Sequence, residues 1–374
     1  MRSAIVIACA AVILAATPRT RAVTFEANDP RVAAALEPIR ARHRFPALGG
    51  AIVTSKGLTA LAVTGVRKSG TEVAATPDDL WHLGSDTKAM TAAWIARVVG
   101  SGKLSWESTI GGVLPKHTAG APEAFRSITL LQLLSHRAGL VANIDWQRAS
   151  SAAATPRAQR LAALQTAAAT PLSSPPGSKY EYSNLGYVLA ATMAEQVVDK
   201  AWEVEIRTTI FAPLGMMSAG FGGLGTPGNI DQPWPHTGEG KPTPQNGPLV
   251  DNPEVMGPAG TVHCSLSDWA KFIADQLKGL EGQRALFPPD VYTRLHTAPF
   301  GGDYAFGWLV TERPWGGGTV HTHAGSNTMN FAVVWMAPAR DFAVLVTTNQ
   351  GGPGAQQGTD EAASALIHLH ESGI

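Results

Sequence analysis

The chain has 374 residues, 44% of them hydrophobic, enough to bury a sizeable core as one large domain or two closely joined lobes. Lys and Arg number 29 and Asp and Glu number 29. This balance gives no electrostatic reason to expect nucleic acid, an anionic membrane or a polyanionic substrate as partner.

Met1-Arg2-Ser3, the apolar run Ala4 to Ala16 and the small-residue exit up to Ala22 predict a secretory leader over residues 1–22. A mature domain over 23–374 then follows, periplasmic or secreted. The run is too short to span a bilayer comfortably, so stable membrane insertion is not expected; an uncleaved anchor is the alternative. Cys9 lies in this run, leaving Cys264 alone in the mature chain and no intrachain disulfide.

Asn28 or Asp29 before Pro30, with Val32, Leu36 and Ile39 at helical spacing, predicts a first helix. Gly49 to Val53 and Leu58 to Thr64, separated by Ser55-Lys56-Gly57, predict a hairpin. Far along the chain, Gly307 to Val310, Asn330 to Met336 and Phe342 to Thr348 read as further strands, and Thr359 to His370 as a terminal helix. Between them lie helical stretches at Leu130–Ser135, Ala152–Ala169, Tyr187–Val198 and Ser267–Leu277, and a Gly/Pro-rich passage, Gly220 to Gly260, too irregular for core and suited to shaping a pocket. The expected fold class is α/β of the α+β type. A mixed sheet with helices on its faces (about 23–80 and 300–374) carries a second, helical lobe (about 85–299).

The chemistry concentrates in Trp81 to Gly100, which reads as one helix from Ser85 onward, with Met90, Trp94, Ile95, Val98 and Val99 on its apolar stripe. Three residues make just under one helical turn, so Lys88 can reach the Ser85 hydroxyl. A serine becomes a nucleophile when a neighbouring base takes its proton, and a lysine is such a base when burial depresses its pKa. Tyr182, in Tyr180-Glu181-Tyr182-Ser183-Asn184, can act as base or proton shuttle, and Asn184 can accept from Lys88 and donate to a substrate carbonyl. In His321-Thr322-His323-Ala324-Gly325-Ser326-Asn327, the small residue and Gly325 would let an edge strand approach the substrate and offer an N–H to an oxyanion.

Ser85-x-x-Lys88, Tyr182-x-Asn184 and His323-x-Gly325, in this order, resemble the class C β-lactamase-like superfamily of serine hydrolases, which includes DD-peptidases, class C β-lactamases and family VIII carboxylesterases. Companion phrases match too: Leu133 to Leu140, Phe211 to Met216, Pro258-Ala259-Gly260 and Tyr304 to Trp308. The resemblance implies a mixed, mostly antiparallel sheet and an acyl-enzyme on Ser85, with Lys88 and Tyr182 relaying the proton and no metal or cofactor. It places Asn184, His323 and Gly325 at the substrate. His323 stands where β-lactamases have a lysine; a largely neutral imidazole weakens recognition of an anionic substrate and tilts the expectation toward ester hydrolysis.

Other readings stay open at this stage. A DD-peptidase or weak β-lactamase acting on peptidoglycan-related amides, or a penicillin-binding-like scaffold that acylates without turnover, fits the same motifs. His321 and His323 could form a metal pair, though no third ligand at matching spacing is evident. His136 and His263 read as structural, and Trp81, Trp94 and Trp106 as core or pocket lining. The sequence sets neither acyl preference nor oligomeric state.

Overall fold

The computed structural model describes residues 28–245 and 251–373; the expected leader lies outside the described residues. The strands in chain order are β1 (Ala47–Thr54), β2 (Gly57–Gly65), β3 (Leu80–His82), β4 (Gly220–Phe221), β5 (Val262–Ser265), β6 (Leu309–Arg313), β7 (Gly318–Ser326), β8 (Phe331–Ala337) and β9 (Phe342–Thr348). Six of them form a sheet in the order β2-β1-β9-β8-β7-β6, every neighbouring pair antiparallel. The expected hairpin is β1–β2, and β1 joins the distant end of the chain through Leu48 opposite Thr348. A small second sheet, β3-β5-β4, carries the approach to the Ser85 segment.

Alternation along β1 decides which layer each residue feeds. Leu48 and Ile52 pack with α1 (Pro30–His43) and the C-terminal helix Pro353–Glu371, whereas Ala47, Ala51 and Val53 join the larger core of the helical body. In α1, Asp29 is the cap, accepting from Arg31 N at 2.9 Å, and Val32, Leu36 and Ile39 are buried as the spacing predicts. At the centre of the helical body is α2 (Thr87–Gly100), buried on almost every side. No helix among the described residues is long and apolar enough to cross a membrane.

Several boundaries differ from expectation for local reasons. The Ala-rich stretch begins its helix at Pro156, capped by Thr155 in an extended conformation, because a proline favours the first helical position and keeps its predecessor out of the helix. The helix expected from Tyr187 starts at Asn184, and its cap is Ser183, which accepts from Gly186 N at 3.1 Å. The terminal helix opens at Pro353, six residues before the predicted Thr359. The strand predicted from Gly307 starts at Leu309, since Gly307 takes a positive φ of 84° in the preceding turn. Gly220 to Gly260 is not all irregular: β4 opens it, and Val255, Met256 and Ala259 at its far end are core.

Candidate active site

Ser85 lies in a 3-10 turn, Gly84–Asp86, that leads into α2, rather than on the regular helix the spacing predicts. Two glycines bring this turn against β7. A side chain on Gly84, whose φ is +51°, would collide with Ser326 N; one on Gly325 would collide with Leu83 O and stand 2.6 Å from Ser85 N. Gly325 therefore lets β7 touch the Ser85 turn itself. β7 is not the edge strand that was expected, but β6 pairs only with Gly318 to Thr322. The stretch from His323 to Ser326 keeps the side away from β8 clear of β6.

Lys88 is fully buried, and its Nζ lies 2.9 Å from Ser85 Oγ, 2.8 Å from Asn184 Oδ1 and 2.7 Å from Ala259 O. Burial holds its pKa well below the usual lysine value, outweighing the Asp86 carboxyl, which acts in the other direction. A neutral amine has two N–H bonds, which the Asn184 and Ala259 oxygens accept. Its lone pair is then left facing Ser85. Tyr182 donates its hydroxyl to Ser85 Oγ at 2.8 Å, so Ser85 can accept from the phenol and give its proton to the amine. Burial raises the Tyr182 pKa, keeping it a protonated donor rather than a phenolate base.

Asn184 reaches this cluster because the cap role falls to Ser183; its Nδ2 donates to Asn143 Oδ1 at 3.0 Å. His136, read as structural, supports Tyr182 from behind. Its Nδ1 accepts from Ser183 N at 3.1 Å, and its ring centroid is 4.4 Å from that of Tyr182. His323 is turned into a buried chain: Nε2 lies 3.1 Å from the Tyr304 hydroxyl and Nδ1 3.3 Å from Asp86 Oδ1. Burial, with Lys88 nearby, pushes the His323 pKa down to about 3 and keeps the ring neutral; burial also pushes the Asp86 carboxyl well up.

The six residues singled out from sequence thus converge: Ser85, Lys88, Tyr182 and Asn184 share one hydrogen-bonded cluster, Gly325 abuts the Ser85 turn, and His323 lies against the neighbouring Asp86. Sequence reasoning did not assign Ala259 O, Asp86, Asn143 or Tyr304 to the site. For Ala259 and Tyr304 a signal existed, since both lie in companion phrases of the resemblance. Asp86 and Asn143 carry none that spacing reveals. His321 lies against His296, ring centroids 4.5 Å apart, and among the described residues no group of three or more His, Cys, Asp or Glu is placed to hold a metal ion.

A cleft of about 690 Å³ opens beside Tyr182 and His323. Leu309, Phe331, Val333 and Trp335 line it, with Tyr180, Tyr304 and the first turns of the C-terminal helix.

Residues 32–369 match the family model described as Beta-lactamase. Penicillin-binding protein 4 of Amycolatopsis lactamdurans is 25% identical over 332 residues, covering 84% of each chain. The crystal structure of SurE superposes with a TM-score of 0.74 at 22% identity, covering 92% of this chain and 76% of that one. D-alanine carboxypeptidase AmpC from Burkholderia cenocepacia superposes at 0.71 with 18% identity, over 91% and 98% of the two chains. The structural likenesses, both below 25% identity, establish the fold: an antiparallel sheet flanked by helices.

Proposed function

This chain belongs to the beta-lactamase family of serine hydrolases, and from that premise we propose that it is exported and cleaves carboxylic esters through an acyl-enzyme on Ser85. Ser85 Oγ attacks the ester carbonyl as its proton passes to neutral Lys88, and the C–O bond of the alcohol breaks as Tyr182 delivers a proton to the departing oxygen. The N–H groups of Ser85 and Ser326 would hold the oxyanion. Water, deprotonated by the same relay, then releases the acid and restores Ser85. Asn184 orients Lys88 and faces the substrate carbonyl; His323 and Gly325 form the wall along which the substrate lies.

The observation that carries the ester reading is the charge of the cleft. None of its lining residues is Lys or Arg, its one carboxylate is Asp360, and His323 is neutral with a pKa near 3. A substrate bearing its own carboxylate, such as a β-lactam or a peptide terminus, meets no cation there, whereas a neutral ester has no charge to satisfy. A second reading, hydrolysis of D-Ala-D-Ala amides, draws on the names of the relatives, a penicillin-binding protein and a D-alanine carboxypeptidase.

The test is a side-by-side assay of residues 23–374 on a short p-nitrophenyl ester, a chromogenic cephalosporin and a D-Ala-D-Ala peptide, with intact mass read after each. Ester turnover is expected to dominate, with a slow or absent lactam adduct. Fast peptide cleavage, or a stable lactam adduct on Ser85 with little ester turnover, overturns the ester reading. Export predicts that protein recovered outside the cytoplasm begins between residues 17 and 23.

A further inference from the structure

Outside the cleft, one carboxylate oxygen lies against two segments that meet at Ser85. Asp251 Oδ1 accepts from Asn327 Nδ2 at 3.3 Å and stands 2.5 Å from His82 Nε2. It also accepts the N–H of Asn252 at 2.7 Å. His82 ends β3, is buried, and accepts the N–H of Gly84 on Nδ1 at 3.0 Å. Because Nδ1 accepts there, Nε2 is the ring nitrogen that carries a proton, and it is the atom beside Asp251. Asn327 follows Ser326 directly, is buried, and closes the β7–β8 turn by accepting from Asn330 N at 3.0 Å.

One arm of this arrangement therefore runs from Asp251 through His82 and Gly84 to Ser85, and the other from Asp251 through Asn327 to Ser326. We propose that Asp251 is a positioning residue for the oxyanion-binding backbone: it clasps the segment carrying the Ser85 N–H to the segment carrying the Ser326 N–H and fixes their separation. The inference rests on the acyl-enzyme reading above. Two preorganised donors stabilise a tetrahedral oxyanion only while their spacing is held, and loosening it acts on the transition state with little effect on ground-state binding. Asp251 is not among the residues lining the cleft beside Tyr182 and His323; it borders a separate cavity of about 250 Å³ with Phe221, Gly222, Asn252 and Thr261. Its effect is transmitted through His82 and Asn327.

The test uses the full mature chain carrying Asp251→Ala, with active sites counted by a fluorophosphonate that labels Ser85. Two quantities are read per labelled site: kcat and KM on a short p-nitrophenyl ester, and affinity for phenylboronic acid, which binds a nucleophilic serine as a tetrahedral anion. The expected result is a kcat lower by about 10- to 100-fold with KM within about twofold, and phenylboronic acid weakened by a similar factor. Asp251→Asn, which keeps an oxygen acceptor, is expected to recover part of both. Unchanged kcat and boronate affinity per labelled site overturns the proposal, as does a loss that merely tracks the number of labelled sites. If Asp251→Ala does not fold, His82→Asn keeps an acceptor for Gly84 N–H but is too short to meet Asp251, and the same losses are expected of it. A wild-type chain that binds phenylboronic acid yet turns over no ester would remove the ester reading and leave the boronate comparison standing.

Discussion

Two side chains that carry a full cation in water, Lys88 and Arg160, are wholly buried, and their surroundings are opposite. Arg160, on the helix Pro156–Ala169, forks onto Glu195 and also meets both oxygens of Glu203, at 2.9 and 3.0 Å. Burial works against its charge, but the two carboxylates outweigh it and raise its pKa. Lys88 receives three hydrogen-bond partners and all are uncharged, so burial wins and its pKa falls. The difference separates a side chain held as a cation from one pushed toward the free amine: the same desolvation is cancelled in one region and left standing in the other, where the proposed mechanism calls for a free amine.

The largest expected effect comes from breaking the reactive side. Ser85→Ala should lower kcat/KM by about 10⁴-fold or more and Lys88→Ala nearly as much, because members of one catalytic unit fail together; full activity in either would sink the assignment. On the structural side, Arg160→Met leaves the buried Glu195 carboxylate without its cation and should cost about 3–5 kcal/mol in denaturant unfolding, with kcat per folded site unchanged. Gly325→Ala pushes β7 away from the Ser85 turn; steady-state kinetics should show kcat down by about 100-fold with the fold retained.

The finer predictions concern pH and stability. In the proposed mechanism Lys88 acts only when neutral, so kcat/KM should fall as pH drops through its depressed pKa, while His323, near 3, adds nothing above about pH 4. The linkage sign follows. The unfolded chain protonates Lys88 below about 10.5 and the folded chain resists it, so this lysine destabilises the fold increasingly as pH falls from there toward its folded pKa. Lys88→Met should therefore stabilise at pH 7, on the order of 1 kcal/mol by thermal unfolding, while abolishing turnover.

Much of this was legible along the chain wherever the cause is local. The start of α1, the β1–β2 hairpin and the strand pair β8–β9 follow from caps, turns and alternation within a few residues. The three-residue spacing of Ser85 and Lys88 holds even though a 3-10 turn carries Ser85. Where expectation failed, a neighbour in space or a low-propensity residue had masked the pattern. Two glycines and a proline hid the first turns of the C-terminal helix, and β3, β4 and β5 are too short for alternation to register.

The sequence by itself determined which chemical groups gather around Ser85 and their order, because three short motifs carry them and each is held by local geometry. Only the tertiary structure decided their state. The Ala259 carbonyl that takes one Lys88 proton lies 171 residues away, Tyr182 reaches Ser85 across 97, and Gly84 and Gly325 meet because neither has a side chain to keep β7 off the Ser85 turn. A pKa is set by burial and by neighbours in space, and neither is written in the spacing of residues along one segment.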